Sequence, residues 1–171
     1  MKSTTKFTVR YRRKREGKTN YKKRLELLKG RTDRLVIRRT NKQIIMQIVS
    51  YSEDGDKVQI TTQSKELQKH GWKHSLKNTP AAYLTGMLTA KKAKDKDIKK
   101  AILDLGLQTP IKGSKLFAAV KGAIENGLEM NAGQEIFPSE ERIKGEHISS
   151  YLDSHKNISN DFEKIKKELT K

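Results

Sequence analysis

One segment near the start of the chain cannot belong to a hydrophobic core. Residues 10–24, RYRRKREGKTNYKKR, contain nine lysines and arginines and a single acid, Glu16. An unpaired cation is too costly to bury, so these side chains must stay in water or contact a polyanion. Tyr11 and Tyr21 interrupt the charge, and aromatic rings and Arg planes can stack on unpaired RNA bases. The segment therefore indicates an RNA contact, although a localisation signal or a membrane-surface patch would also be basic.

The positive charge is concentrated at one end of the 171-residue chain, whose net charge is +18. Residues 1–42 contain 17 basic and 3 acidic side chains, whereas the other 129 residues contain 21 and 17. A nearly balanced body with a strongly cationic N-terminal portion is typical of a nucleic-acid-binding protein.

The composition also excludes several kinds of site. Cysteine is absent, which rules out disulfides, thiolate zinc sites and Cys nucleophiles. No stretch is apolar enough to span a membrane, and the N-terminus lacks the apolar segment of a secretory signal. We therefore expect a cytoplasmic protein with no membrane partner.

Two runs rich in β-forming residues on either side of a short turn predict an antiparallel meander. The runs RLVIRRT and QIIMQIVS, within residues 34–50, flank Asn41 and Lys42. Because Asn tolerates positive φ, this pair predicts a primed two-residue hairpin turn. A third strand is predicted over residues 57–62, after an acidic turn at residues 53–56 that we expect to be solvated.

Helical spacing predicts a short helix over residues 20–28, ending at Gly30, and a longer one capped by Thr79 with Pro80 at its first position. The longer helix carries a stripe of small residues, which predicts that it lies close on the sheet. The stripe consists of Ala82, Gly86 and Ala90.

A strand–helix–strand unit is predicted in the second half of the chain, with strands over residues 101–106 and 128–130 and a helix over residues 114–126. Such a unit makes part of the sheet parallel, so the sheet is expected to be mixed.

Two further helical regions are predicted near the C-terminus. The first covers residues 140–152, is capped by Pro138 and Ser139 and is interrupted at Gly145, and the second covers residues 159–171. The apolar stripe of the second helix is narrow, so it docks either on the body, which we expect, or on a partner. The stripe consists of Phe162, Ile165 and Leu169.

No catalytic, metal or cofactor site is predicted. Nucleases with mixed sheets hold two metals with clustered acids, but Asp104 is the one obvious strand carboxylate here, and we expect it to bond nearby backbone. His70 and His74 are separated by Gly71, and no acid or Cys completes a metal site. Sequence motifs of serine hydrolases, zinc proteases and dinucleotide-binding proteins are also absent.

Six blocks of sequence occur in an order that resembles a known family. They are RRKREGKTNYKKRLELL, RLVIRRTNKQIIMQ, GW followed by NTPAAYLTGML, AILDLGL, GSKLFAAVKGAIENGLEM and RIKGEHI. In this order and spacing, from about residue 9 to residue 151, they resemble the archaeal and eukaryotic form of the large-subunit ribosomal protein family that binds 5S rRNA (the L-eighteen family). The length of the chain is typical of the archaeal form, and residues 151–171 match no pattern that identifies their partner.

The resemblance implies an α/β fold with a three-layer, ribonuclease-H-like body and a mixed sheet, without the catalytic carboxylates. It implies a basic arm and short helix over residues 1–30, the body over residues 31–135, and a C-terminal helical extension over residues 136–171. The implied partners are 5S rRNA, 23S rRNA and other proteins of the central protuberance of the large ribosomal subunit.

The family's RNA contacts carry over mainly to the basic block. Arg and Lys would meet phosphates, Gly17 would let the backbone approach RNA closely, and Thr19 and Tyr21 would supply a hydroxyl and a stacking ring. The expected contacts in this block are Arg10, Tyr11, Arg12, Arg13, Lys14, Arg15, Gly17, Lys18, Thr19, Tyr21 and Arg24.

A second group of expected RNA contacts lies at the hairpin tip and comprises Arg38, Arg39, Asn41 and Lys42, although turn geometry alone would also explain Asn41. For Arg142 and His147 a local salt bridge or helix cap is as good an explanation as RNA. The alternatives to a ribosomal protein are a metal-dependent nuclease on the same fold and a general DNA-binding or membrane-surface protein.

Overall fold

A computed structural model describes residues 8–170; residues 1–7 of the predicted arm and residue 171 lie outside this range. Within it the strands are β1 (Arg34–Arg39), β2 (Ile44–Ser50), β3 (Lys57–Gln63) and β4 (Ile102–Asp104). The helices are α1 (Arg12–Arg15), α2 (Tyr21–Lys29), α3 (Thr79–Lys94), α4 (Lys115–Glu125), α5 (Glu140–Lys144), α6 (Glu146–Ser149) and α7 (Ile158–Thr170). Short 3₁₀ helices cover Ser64–His70, Gln134–Ile136 and Asp153–His155.

The strands form a mixed sheet in the order β3-β2-β1-β4. β1, β2 and β3 are antiparallel neighbours, whereas β4 runs parallel to β1 with Leu35 opposite Leu103. The α/β class, the meander and the mixed sheet are thus confirmed. The strand predicted over residues 128–130 is reduced to one parallel bridge, between Lys100 and Glu129.

The β1–β2 turn differs from the prediction. Asn41 and Lys42 do occupy its tip, but neither has positive φ; in the described part of the chain Arg31 and Asp97 are the non-glycine residues that do. Instead, the Thr40 hydroxyl accepts the Gln43 N–H at 3.0 Å and donates to the Gln43 carbonyl at 2.8 Å. The side chain of Thr40 closes the turn, so no left-handed residue is needed.

The core lies between one face of the sheet and α3. Alternate strand residues such as Leu35, Ile37, Met46 and Ile48 are fully buried there. α3 contacts this face and also α4 and α7, so 13 of its 16 residues are buried.

α3 begins one residue earlier than predicted. The Asn78 side chain caps it by accepting the Ala81 N–H at 2.9 Å, and Thr79 is its first residue. Asn is at least as good a cap as Thr, and its carbonyl reaches the free N–H group here.

α3 lies on the sheet as predicted, but one of its small residues, Gly86, permits a close contact with another helix. A Cβ atom built on Gly86 would lie 2.0 Å from the Ala119 carbonyl oxygen of α4. A Cβ on Gly122 of α4 would lie 2.1 Å from the Tyr83 carbonyl oxygen of α3. The two backbones therefore touch where each helix has a glycine.

The C-terminal helices pack onto α3. Gly145 has φ of 83° and separates α5 from α6, as predicted. Phe162, Ile165 and Leu169 of α7 are buried in the same core cluster as the sheet, and the Phe162 ring lies 5.4 Å from that of Tyr83. α7 thus docks on the body.

Candidate nucleic-acid interface

A groove of about 790 Å³ lies between the N-terminal helices and the sheet face turned away from α3. Its floor comes from strand side chains that alternate with core residues, such as Val36, Gln47 and Val58. One wall is the segment from α1 to α2, and the other is the loop after β4. The other lining residues are Arg13, Gly17, Lys18, Thr19, Asn20, Lys23, Arg24, Leu27, Arg34, Ile37, Arg38, Arg39, Val49, Asp56, Asp104, Leu105, Gly106, Leu107 and Gln108.

The groove is strongly cationic. Seven basic side chains line it, from both the N-terminal segment and β1, against two acids, Asp56 and Asp104. Both acids are paired with arginines. A cleft lined by one sign of charge concentrates its field and attracts ligands of the opposite sign. The floor is partly apolar, so the groove combines phosphate-binding groups with a surface that suits flat, weakly polar groups.

Two arginines and two acids form a continuous network beneath the groove. Arg34 is 3% exposed and donates to Asp104 at 2.9 Å and to Asp56 at 2.7 Å. Arg24 of α2 binds the same Asp56 through both carboxylate oxygens, each at 2.7 Å. The hydrogen bond from Arg24, reinforced by Arg34, lowers the pKa of Asp56 from 3.8 to about 2, and the same bond raises the pKa of Arg24.

α2, which forms part of one wall of the groove, is held in place by polar contacts. Among the described residues, none in α1 or α2 is buried. Besides the Arg24–Asp56 pair, the Lys23 ammonium donates to the Gly106 carbonyl at 3.1 Å. Asn20 caps the helix by accepting the Lys23 N–H at 3.1 Å, and Gly30 ends it, as predicted.

The loop between α1 and α2 is folded by its own contacts. The Arg13 side chain donates to the Thr19 hydroxyl at 2.8 Å, and the Arg13 carbonyl accepts the N–H groups of Lys18 and Thr19. Gly17 has φ of 63°, which lets the chain reverse after α1. α1 itself was not predicted. The arm therefore holds a defined shape in which most of its cations remain exposed.

The two tyrosines of the arm lie against each other, with ring centroids 5.1 Å apart and planes tilted by 43°. Tyr11 is 72% exposed, whereas Tyr21 is half-buried. The pair gives the basic surface an aromatic patch on which an unpaired base could stack.

The structure brings some of the predicted RNA contacts together in the groove and leaves others outside it. Those that line it are Arg13, Gly17, Lys18, Thr19, Arg24, Arg38 and Arg39. Those on the adjoining arm surface are Arg10, Tyr11, Arg12, Lys14, Arg15 and Tyr21, and Asn41 and Lys42 lie at the hairpin tip. Asn41 and Lys42 border a separate shallow pocket instead.

Some of the predicted RNA contacts already have partners within the protein. Lys18 and Arg12 pair with Glu16 on the surface, at 2.9 Å and 3.7 Å. Arg24 is held by Asp56. Arg38, Arg39 and Lys42 are exposed and form no ion pair within residues 8–170, so they are free to bind phosphate.

Sequence reasoning missed the residues that shape the groove. Asp56 was expected in a solvated turn, but its carboxylate faces Arg24 and Arg34, 32 and 22 residues earlier in the chain. Lys23, Arg34 and Gln108 were not singled out, and the Gln108 amide donates to the Ile37 carbonyl at 2.7 Å. A charged residue at the start of an apolar strand is the one local signal for Arg34, and nothing local identifies its partners.

Asp104 is occupied by structural contacts. Besides Arg34, it accepts the Gly106 N–H at 2.8 Å, which is the nearby backbone bond that the sequence predicted. Across residues 8–170, no three His, Cys, Asp or Glu side chains are grouped so that they could hold a metal ion. The helices in this range are all too short or too polar to cross a membrane.

The four histidines have other surroundings within the protein. His74 lies 3.1 Å from Asp161 and 3.0 Å from His155, and His70 lies 2.6 Å from Glu168, so both contact α7 or the segment before it. Arg142 and His147 are exposed on α5 and α6. Partial burial, and then the charge of Arg142, lower the pKa of His147.

Comparison with known proteins identifies the family. Residues 5–99 match the family described as ribosomal large subunit proteins 60S L5 and 50S L18. The chain is 48% identical over 153 residues to large ribosomal subunit protein uL18 of Korarchaeum cryptofilum, covering 90% of this chain and 78% of that protein. It is 46% identical over 173 residues to large ribosomal subunit protein uL18 of Methanoregula boonei, covering 99% of each. The chain therefore belongs to this family of large-subunit ribosomal proteins, and it is a structural component of the cytoplasmic ribosome rather than an enzyme.

Proposed function

We propose that this ribosomal protein binds 5S rRNA through its arm, the groove beneath it and the tip of the β1–β2 hairpin. The observation that carries the proposal is the convergence of seven basic side chains, from residues 13–24 and from β1, on one groove. The arm alone would bind any polyanion without specificity. Because a groove of defined shape continues from the arm, the surface favours an RNA of matching shape.

The chemistry of the surface divides the proposed contacts by role. Arg38, Arg39 and the exposed cations of α1 are placed to neutralise phosphates, which gives affinity without sequence information. The Tyr11–Tyr21 pair and the apolar floor at Val36 and Val58 would receive unpaired bases, since sequence-specific RNA recognition mostly targets unstacked nucleotides. Gly17 would let the backbone approach the RNA closely.

We also infer the finer assignments that the family resemblance implies. The body would be a three-layer, ribonuclease-H-like fold, which the mixed sheet and its packed helices support. The basic arm would span residues 1–30, the body residues 31–135 and the helical extension residues 136–171. The protein would help to attach 5S rRNA to 23S rRNA, beside other proteins of the central protuberance. Its groove would then face the 5S rRNA.

The test is binding of the full chain to 5S rRNA and to a tRNA of similar charge across a salt series. We expect 5S rRNA to bind about a hundredfold more tightly, roughly 2.7 kcal/mol. Affinity should fall with salt at a slope of roughly 0.7 to 0.9 per phosphate neutralised. Equal affinity for both RNAs would contradict the proposal and favour a non-specific polyanion contact.

A variant pair locates the interface. Replacing Arg13 and Arg15 with Ala should weaken binding of both RNAs, because each loses a phosphate partner. Replacing Lys167, an exposed lysine of α7, should leave binding unchanged. If both variants behave alike, the arm does not form the interface.

A further inference from the structure

We propose that Asp56 is a positioning residue that holds α2 over the sheet and thereby sets the shape of the RNA-binding groove. The inference rests on the proposed function, because the groove matters only if RNA occupies it. Asp56 lies on the chain between β2 and β3, and it touches the arm and the sheet at once through Arg24 and Arg34.

The attachment of α2 depends on a small number of polar bonds. No residue of the helix is buried, and its apolar side chains Leu27 and Leu28 are only partly covered, so its position depends largely on the polar bonds. Arg24 meets Asp56 in a two-pronged pair at 2.7 Å, with both side chains 28% exposed. Such pairs fix orientation as well as distance, since two parallel hydrogen bonds allow one geometry.

The sheet side of this attachment is rigid. Arg34 is 3% exposed and is fixed between Asp56 and Asp104. Asp104 is fixed in turn by the Gly106 N–H, and the Gly106 carbonyl accepts from Lys23 of α2. The chain of bonds therefore returns to α2, so the helix is attached at two points to one network.

A positioning role and a purely electrostatic role of Asp56 predict opposite changes in RNA affinity when its charge is removed. Asp56 is an acid in a groove with seven cations, so its charge opposes phosphate binding. If it acted only through charge, neutralising it would strengthen binding to any RNA. If it positions α2, neutralising it should weaken binding to the RNA that fits the groove, because the arm must then be ordered at the cost of binding free energy.

The decisive variant is Asp56→Asn, compared with Asp54→Asn as a matched control. Asp54 is exposed in the same turn and forms no ion pair or side-chain hydrogen bond within residues 8–170, so its replacement removes the same charge without touching α2. We expect D56N to lose about tenfold in affinity for 5S rRNA. D54N should bind each RNA as tightly as the unaltered chain does, or slightly more tightly, and the affinity of D56N for tRNA should not fall.

Two further measurements separate positioning from loss of folding. D56E should recover part of the loss, since a carboxylate can again pair with Arg24. Amide exchange of α2 in the free protein should be faster in D56N than in D54N, while exchange in α3 stays the same.

The inference is overturned if D56N binds 5S rRNA as tightly as D54N does, or if α2 exchanges equally in the two variants. Equal binding of 5S rRNA and tRNA by the unaltered chain would instead overturn the proposed function. In that case the exchange of α2 alone decides whether Asp56 holds the helix.

Discussion

Two contacts of this protein are built in opposite ways. Between α3 and α4 the backbones meet at Gly86 and Gly122, and the neighbouring side chains are fully buried. Between α2 and the sheet there is a groove, with the helix held by Arg24, Lys23 and their partners. The first contact depends on shape and the second on charge.

The two contacts should serve different purposes, one the stability of the fold and the other the binding of RNA. Close-packed interiors respond to the addition of one methyl group, so the α3–α4 contact should determine whether the chain folds. An exposed, polar contact contributes little to global stability, but it fixes where the cations of the arm lie. Substitutions in the two regions should therefore affect different measurements.

The largest effect is expected from Gly86→Ala. The new methyl group would lie 2.0 Å from the Ala119 carbonyl oxygen, so the helices must move apart, at a cost of about 3 kcal/mol or more in unfolding free energy. Urea denaturation measures the loss. Gly133→Ala is the control, because Gly133 has open space around it and ordinary φ; a similar loss there would contradict the packing argument.

Next in size is the double replacement of Arg38 and Arg39 with Ala. Both are exposed at the end of β1, so unfolding free energy should change by less than about 0.5 kcal/mol. Affinity for 5S rRNA should fall at least about tenfold, and the salt slope should decrease by roughly 0.7 to 0.9 for each lost phosphate contact. A salt titration of binding measures both. If the salt slope were unchanged, Arg38 and Arg39 would not contact phosphates, and the hairpin would not be part of the interface.

A smaller effect is expected from Tyr83→Phe within the packed region. The Tyr83 hydroxyl donates to Glu125, and burial and that bond raise its pKa. Losing the bond should cost about 1 kcal/mol of unfolding free energy, because Glu125 keeps Lys121 and Lys166 nearby. Thermal unfolding measures this loss. If Y83F lost RNA affinity without losing stability, the claim that the packed region affects stability and not binding would be contradicted.

The smallest effect is the pH dependence of the charged contact. Because pairing lowers the pKa of Asp56 to about 2, its contribution is complete above its ordinary value of 3.8 and is lost as pH falls toward 2. The difference in unfolding free energy between the unaltered chain and D56N should therefore shrink over that range. A difference that stays constant would mean that Asp56 does not titrate with Arg24 and Arg34 as its partners.

The sequence predicts the features that local signals encode. Gly30 and Gly145 end helices where expected, and the spacing of Phe162, Ile165 and Leu169 predicts the buried face of α7. The small residues of α3 predict a close approach, but the pattern does not say that the closest one, at Gly86, is to the backbone of α4. The turn at Asn41 is closed by Thr40, a bond that propensity does not reveal.

The groove is less predictable because it depends on distant pairs. Arg34 meets Asp104, 70 residues later, and Asp56 joins it to α2. A basic run identifies the cations but not which of them are neutralised within the protein. Arg24 is an example, since it lies in the basic block and is bound to Asp56.

Amide hydrogen exchange of the full chain, free and bound to 5S rRNA, tests the central claim most directly. If the arm, groove and hairpin tip form the interface, exchange should slow in α1, α2 and the turn between β1 and β2, while α3 and α4 remain unchanged. Slowing confined to α5, α6 and α7, with the arm unaffected, would contradict the account.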